Sequence, residues 1–355
     1  MMVFICVIIA GTVLKLAASV VLPIVIAFLL AFAMYPLIIW LEKFKMPRSL
    51  SILLVVLIIG IGFFVLGIAL YNSAGSIVSS FPRYEHRLTE IYIWIANLLE
   101  LPNDESLSFW ENLWGQLGIR SWVLSFTLSS FNFLISFISN AVMVIFFTLF
   151  ILLEASFFKE KLEAAFEGRS KQIDKMGKDL MSQVTRYLTA KFLISLATGT
   201  LIAFGLWLIK VEFAIIWGII AFVFNFIPTF GSIVAGVATS VFALAQFWPD
   251  PVPVILTVVL ILGVNMIIGN IIDPKVIGDH VGLSAIVVLV SLTIWGYIWG
   301  FAGMILSVPM TVIIKIICEN IPIMEPVSIL LGSRRAVKAK SFEGDEEEES
   351  IGETN

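Results

Sequence analysis

Seven long stretches of this 355-residue sequence are almost free of charge: 2–41 (with Lys15 alone), 49–82, 121–153, 192–209, 213–249, 251–272 and 281–314. Every Asp and Glu lies outside them. A helix needs roughly 20 apolar residues to cross about 30 Å of hydrocarbon, so each stretch is long enough for one span or nearly two. The rest of the composition agrees. The chain is 59% hydrophobic and 14% charged, against about 45–50% and about 25% in soluble domains. That excludes disorder, nucleic-acid binding and an ordinary cytosolic enzyme, and predicts an all-α, polytopic integral membrane protein in a lipid bilayer. Cys6 and Cys318 cannot form a disulfide framework, and two histidines, His86 and His280, cannot build a multi-histidine metal site. No cofactor or metal is expected.

The first stretch is twice the length of one span, and Pro23 near its middle predicts spans at 2–21 and 23–41, joined tightly. A signal peptide fits poorly: Ala31-Phe32-Ala33 resembles a cleavage site, but a basic n-region is missing and the apolar run is too long. Residues 1–72 thus read as N-terminal transmembrane helices, 123–153 as a further span. Between them, 73–122 carries Ile77, Phe81, Tyr84, Leu88, Ile91, Ile95 and Leu98 at steps of three and four, an amphipathic helix with Pro82 at its start. Segment 154–191 carries a similar stripe, Leu162, Phe166, Ile173, Met176, Leu180 and Val184, interrupted by Arg169. Both stripes suit a helix lying on the membrane or bundle, or a contact between subunits. Lys and Arg number 17 in segments 41–49, 154–191, 272–284 and 315–355, and 4 in the alternate loops. This asymmetry predicts cytoplasmic termini and an external 73–122. Residues 319–355 form a cytoplasmic tail whose acidic run, Glu343 to Glu349, reads as a solvated, disordered end.

Residues 192–318 read as the transport core, because two of its stretches are broken. The centre of 213–249 is Asn225-Phe226-Ile227-Pro228-Thr229-Phe230-Gly231, and that of 285–318 is Trp295-Gly296-Tyr297-Ile298-Trp299-Gly300-Phe301-Ala302-Gly303. Proline and glycine interrupt helices, so each stretch predicts a helical hairpin, either two short spans or a re-entrant element, the two entering from opposite faces. Irregular backbone at membrane depth must line a cavity or be buried in protein. Asn225, Asn265 and Asn270 lie in otherwise apolar sequence, where polar side chains face the bundle interior. A substrate path is therefore expected near Asn225, Pro228, Gly231, Asn265, Asn270, Asp273, Pro274, Gly296 and Gly300. The plainer alternative is that the asparagines cap broken helices. Small residues recur at spacing four in Ser195, Gly199 and Ala203, in Gly231, Ala235, Thr239 and Ala243, and in Gly296 and Gly300, which permits close helix approach.

These residues resemble the autoinducer-2 exporter family of bacterial membrane proteins over roughly 10–330. The resemblance rests on Asn225-Phe226-Ile227-Pro228 with Gly231, on Asn270 to Leu283 with Pro274, Gly278 and Val281-Gly282-Leu283, and on Gly296, Gly300, Gly303 and Val308-Pro309. Ala285 stands where members usually carry proline. The resemblance implies a multi-pass protein of the bacterial inner membrane that exports a small polar solute, in some members the quorum-sensing signal autoinducer-2. It also implies a homo-oligomer, suggested to be a pentamer. Other members are described as sodium- or potassium-proton antiporters. Antiport commonly uses a carboxylate deep in the membrane; here Asp273, Asp279, Glu154 and Glu212 all lie at the edges of apolar stretches. A membrane-embedded enzyme is the third hypothesis, and no HExxH, GxSxG or phosphate-cradling motif supports it.

Overall fold

Seven apolar stretches without competing charge have one way to satisfy their backbone in hydrocarbon, and the computed structural model shows it. It describes residues 2–98, 140–155, 161, 170–276 and 282–332. Within these, helices run over α1 (Met2–Leu16), α2 (Ala18–Glu42), α3 (Arg48–Leu98), α4 (Asn140–Ala155), α5 (Ser170–Ile209), α6 (Ala214–Phe224), α7 (Phe230–Phe247), α8 (Pro251–Ile267), α9 (Ala285–Glu319) and α10 (Glu325–Leu331). Among the described residues there is no strand, only an isolated bridge between Leu283 and Gly332. Six of the helices are long and apolar enough to cross a membrane. The protein is all-α and polytopic, as its sequence predicts.

Three boundaries differ from the sequence reading. The break expected at Pro23 is absent: α2 carries both Pro23 and Pro36 in its interior. The chain bends instead at Ala17, where Ala17 N–H still donates to Val13 and Val21 N–H to Ala17, so it does not reverse there. Proline removes one backbone bond, a loss that neighbouring helices offset in membrane proteins. The second boundary, at 72/73, falls inside α3, a single 51-residue helix about 76 Å long. Pro82 is thus internal rather than a start. The third, at 191/192, falls inside α5, where 40 continuous residues reach about 60 Å. The described parts of both amphipathic stripes are therefore extensions of spans. Leu162, Phe166, residues 99–122 and 123–139, and the acidic tail lie outside the described residues.

The described part of the first stripe packs on its own chain. Tyr84 and Ile91 are buried, and the Tyr84 ring meets Phe242 at 5.2 Å. Its hydroxyl donates to Glu212, to which Arg83 also pairs at 2.9 Å. Burial, then the Glu212 carboxylate, push the Tyr84 phenol above its ordinary value, so it stays a donor at any physiological pH. Trp94 meets Trp248 at 5.4 Å, and Gln246 ties the 210–212 turn by accepting from Glu212 N–H and donating to the Lys210 carbonyl. Segments 83–94, 210–213 and 246–250 thus share one end of the bundle. At another surface, Ser284 N–H donates to Leu331 and Leu283 bridges Gly332.

The core is built by close approach. An added Cβ on Gly199 of α5 would stand 2.6 Å from the Gly218 carbonyl, and one on Gly218 would stand 2.5 Å from Ala203 Cβ. Gly199 and Ala203, two of the nine small residues read at spacing four, thus let α5 and α6 touch along their backbones. A second cluster joins Leu29, Val184, Tyr187, Trp295, Trp299 and Val312, seating α2 and α5 on α9.

Candidate functional site

Two chain reversals organise residues 214–319. In the first, α6 ends at Phe224 with Asn225 as its C-cap and α7 starts at Phe230, with Thr229 between them at φ 62°, ψ −55°. Non-glycine residues avoid that region. In the second, α9 is broken at Trp299 and at Gly300, which has φ 62°, ψ −139°. Its two arms are 285–298 and 301–319, held together where the Ser291 and Thr311 hydroxyls bond each other. Each reversal closes on a glycine. An added Cβ on Gly231 would lie 1.7 Å from the Phe224 carbonyl oxygen, and one on Gly303 would lie 1.9 Å from that of Trp295. The leading arm of the first hairpin has 11 residues, about 16 Å, too short to cross the hydrocarbon alone. The tips touch: the Phe224 and Phe301 ring centroids are 5.1 Å apart.

Beneath the first tip lies a cavity of about 10 Å³ lined by Thr198, Asn225, Ser232, Thr239, Asn265 and apolar neighbours. That is room for about one water molecule, so any larger solute requires the helices to part. Among the described residues, no charged one lines it. The hydroxyls of Thr198, Ser232 and Thr239 donate to backbone carbonyls of their own helices at 2.7–3.1 Å, which leaves oxygen lone pairs for a guest. Asn225 donates through Nδ2 to Ser195 Oγ at 3.0 Å. The Asn265 amide, which lines the cavity, has no hydrogen-bond partner among the described residues.

The predicted site residues fall into three groups. Asn225 and Asn265 share the cavity, with Pro228 and Gly231 forming the turn above it. Gly296 and Gly300 belong to the second hairpin, where Gly296 faces the Met304 side chain. Asn270 is exposed on a π-helical turn, Ile268–Ile272, that continues α8. Asp273 and Pro274 follow that turn, and the Asp273 carboxylate pairs with Lys191 at 3.0 Å. Lys191 escaped the sequence reading because it was counted among cytoplasmic cations. Lys191, Ser195 and Thr198, at spacings of four and three, do fall on one helix face, which marks a polar stripe but not the carboxylate that meets it. Glu212, set aside as an edge residue, is instead the anchor for α3.

Comparison with known proteins decides the family. The model of the AI-2E family transporter matches residues 2–323. The chain belongs to the AI-2E transporter family. Among relatives of this AI-2E transporter, a candidate transport protein of Borreliella burgdorferi is 30% identical over 319 residues, covering 90% of this chain and 86% of its own. The AI-2 transport protein TqsA of Escherichia coli K12 is 27% identical over 326 residues, covering 89% and 90%. A sodium-lithium/proton antiporter of Halobacillus andaensis is 25% identical over 312 residues, covering 82% and 86%. Membership places the AI-2E chain among multi-pass membrane transporters.

Proposed function

We propose that this AI-2E family protein exports a small, uncharged, hydrophilic solute across the bacterial inner membrane, of the class for which TqsA is named. One observation carries the reading: an uncharged cavity between α5, α6, α7 and α8 that presents hydroxyl lone pairs and an amide without a partner among the described residues. Such a lining matches a polyhydroxylated guest, which can donate and accept at once, and offers nothing to a full charge. The path runs from Asn265 past Asn225 to the hairpin tips, with Pro228, Gly231, Gly296 and Gly300 shaping the turns that move. The homo-oligomer is carried by the family resemblance; the described part of the 77–98 stripe is used within the chain. Sodium(potassium)/proton antiport is the second reading, favoured by the Asp273 carboxylate against a buried lysine.

Flux tests the path. In vesicles containing the purified protein, Asn265→Ala and Asn225→Ala are each expected to cut efflux of a labelled polyol-like solute at least tenfold, with ATP having no effect. Asn265 lies within α8, so capping of a broken helix cannot explain a loss there. Unchanged flux in both variants at normal expression would sink the path.

Orientation is tested separately, in a background with Cys6 and Cys318 replaced by serine. An impermeant thiol reagent applied outside the cell is expected to label Asn103→Cys and not Lys171→Cys, following the Lys/Arg asymmetry. The reverse pattern would invert the protein and its direction of transport.

A further inference from the structure

The last described helix, α10, is built inside out for contact with water. Ile323, Val327 and Leu330, at spacings of four and three, are 91%, 46% and 78% exposed, and Met324 and Ile329 are exposed beside them. Ser328 is turned inward and buried. A surface helix in water shows the opposite pattern, with its apolar stripe packed inside. An apolar patch left uncovered marks a contact with something other than water. The ends of the segment fix where it lies. It leaves α9 at Glu319, turns over Pro322–Met324, and finishes where Ser284 N–H donates to the Leu331 carbonyl and Leu283 bridges Gly332. Because α9 is a hairpin, both of its ends stand at one face of the bundle. Strung between those ends, α10 runs along that face rather than away from it. The sequence behind it supplies charge: Arg334, Arg335, Lys338 and Lys340 follow, and no Asp or Glu stands between Glu325 and Glu343.

We propose that α10 and the basic run behind it dock on the cytoplasmic leaflet and bind anionic phospholipid headgroups. The apolar face enters the boundary between headgroups and acyl chains, as amphipathic segments do when they lie on a bilayer. The four cations meet the negative surface, since basic clusters beside a membrane span are attracted by anionic lipid. A neutral bilayer offers the apolar half of this contact and not the charged half. A second copy of the chain could cover the apolar face, but it would bring a like-charged run against this one. The acidic run from Glu343 to Glu349 is repelled by the same headgroups, so the docking segment ends near Lys340. Docking reaches the second hairpin through the bond from Ser284 to Leu331. Lipid that holds α10 also holds the residue that caps α9, whose Oγ accepts from Val287 N–H. Anionic lipid thereby steadies the base of the hairpin whose tip carries Phe301. The inference does not depend on which solute the protein carries.

Amide hydrogen exchange read by mass spectrometry tests this on the full chain, in vesicles of phosphatidylcholine with or without phosphatidylglycerol. Both leaflets carry the same lipids, so the orientation of the chain does not affect the result. Exchange in peptides covering 321–332, and in those containing Ser284, is expected to be about tenfold slower with the anionic lipid. Peptides from α8 should not change. Molar salt, which shortens the Debye length to about 3 Å, should remove the difference. Replacing Arg334, Arg335, Lys338 and Lys340 together by glutamine should do the same, with the elution profile of the parent. Ile323→Ser combined with Leu330→Ser, both at exposed positions, should speed exchange in both kinds of vesicle. Equal exchange with and without phosphatidylglycerol, or slowing that survives the four glutamines, would overturn the proposal. So would protection that follows the protein-to-lipid ratio and not the lipid charge, which would assign the face to a second copy of the chain. No solute is present, so failure here is distinguishable from failure of the cavity variants in the flux assay.

Discussion

Gly231→Val is expected to remove nearly all monodisperse protein from a detergent extract, and with it all flux. Its Cβ would stand 1.7 Å from the Phe224 oxygen and 2.6 Å from that carbonyl carbon. Both are backbone atoms, so no rotamer can yield. The arms α6 and α7 must spread, which pulls Asn225 from Ser195 and opens the α5–α6 crossing at Gly199 and Gly218. Overpacking a core costs about 1–3 kcal/mol when side chains can adjust, and a collision with backbone belongs at or above that range. Gly303→Val, 1.9 Å from the Trp295 oxygen, is expected to do the same to the second hairpin. Gly263→Ala has nothing within 4 Å of its new Cβ and serves as the control, with unchanged yield and melting temperature. If Gly231→Val melts where Gly263→Ala does, the closure at Phe224 is not what holds the hairpin.

The second large effect is electrostatic. Asp273→Leu leaves the Lys191 ammonium buried without its counter-charge. Breaking one side of a buried pair costs about 3–5 kcal/mol, whereas replacing both sides by apolar groups is often neutral or stabilising. Asp273→Leu should therefore lower the melting temperature sharply, and Lys191→Met combined with Asp273→Leu should restore most of it. A double variant no more stable than Asp273→Leu would mean that the damage comes from the shape of the π-helical turn rather than from charge.

Much of this molecule was legible because hydrocarbon leaves few choices. Uncharged stretches became helices, and the proline–glycine and glycine–glycine centres became reversals, since an unbroken helix through 213–249 would be far too long for the bilayer. The cavity pair Asn225 and Asn265 was visible as polar residues in apolar sequence. Helix ends were not legible. Pro23 and Pro82 read as boundaries because proline disfavours helix interiors, yet one missing backbone bond does not outweigh tens of residues of helical packing, and the helices run through. Lys191 was hidden for a different reason. A cation at the edge of an apolar stretch looks solvated until a carboxylate 82 residues away is brought against it, and sequence spacing carries no trace of that meeting. The fine geometry of the second hairpin was half legible: Gly300 bends the chain, but Gly303 makes the close contact.

The touching rings of Phe224 and Phe301 have a mechanical consequence. Each sits where a helix meets the bend of its own hairpin, so neither tip can withdraw by a ring's width unless its counterpart follows or the aromatic contact breaks. Two doors that lean on one another in this way open in turn more easily than together. A passing molecule would then meet a closed barrier on one side whenever the other yields, and leakage would be held down by joinery, with no separate plug.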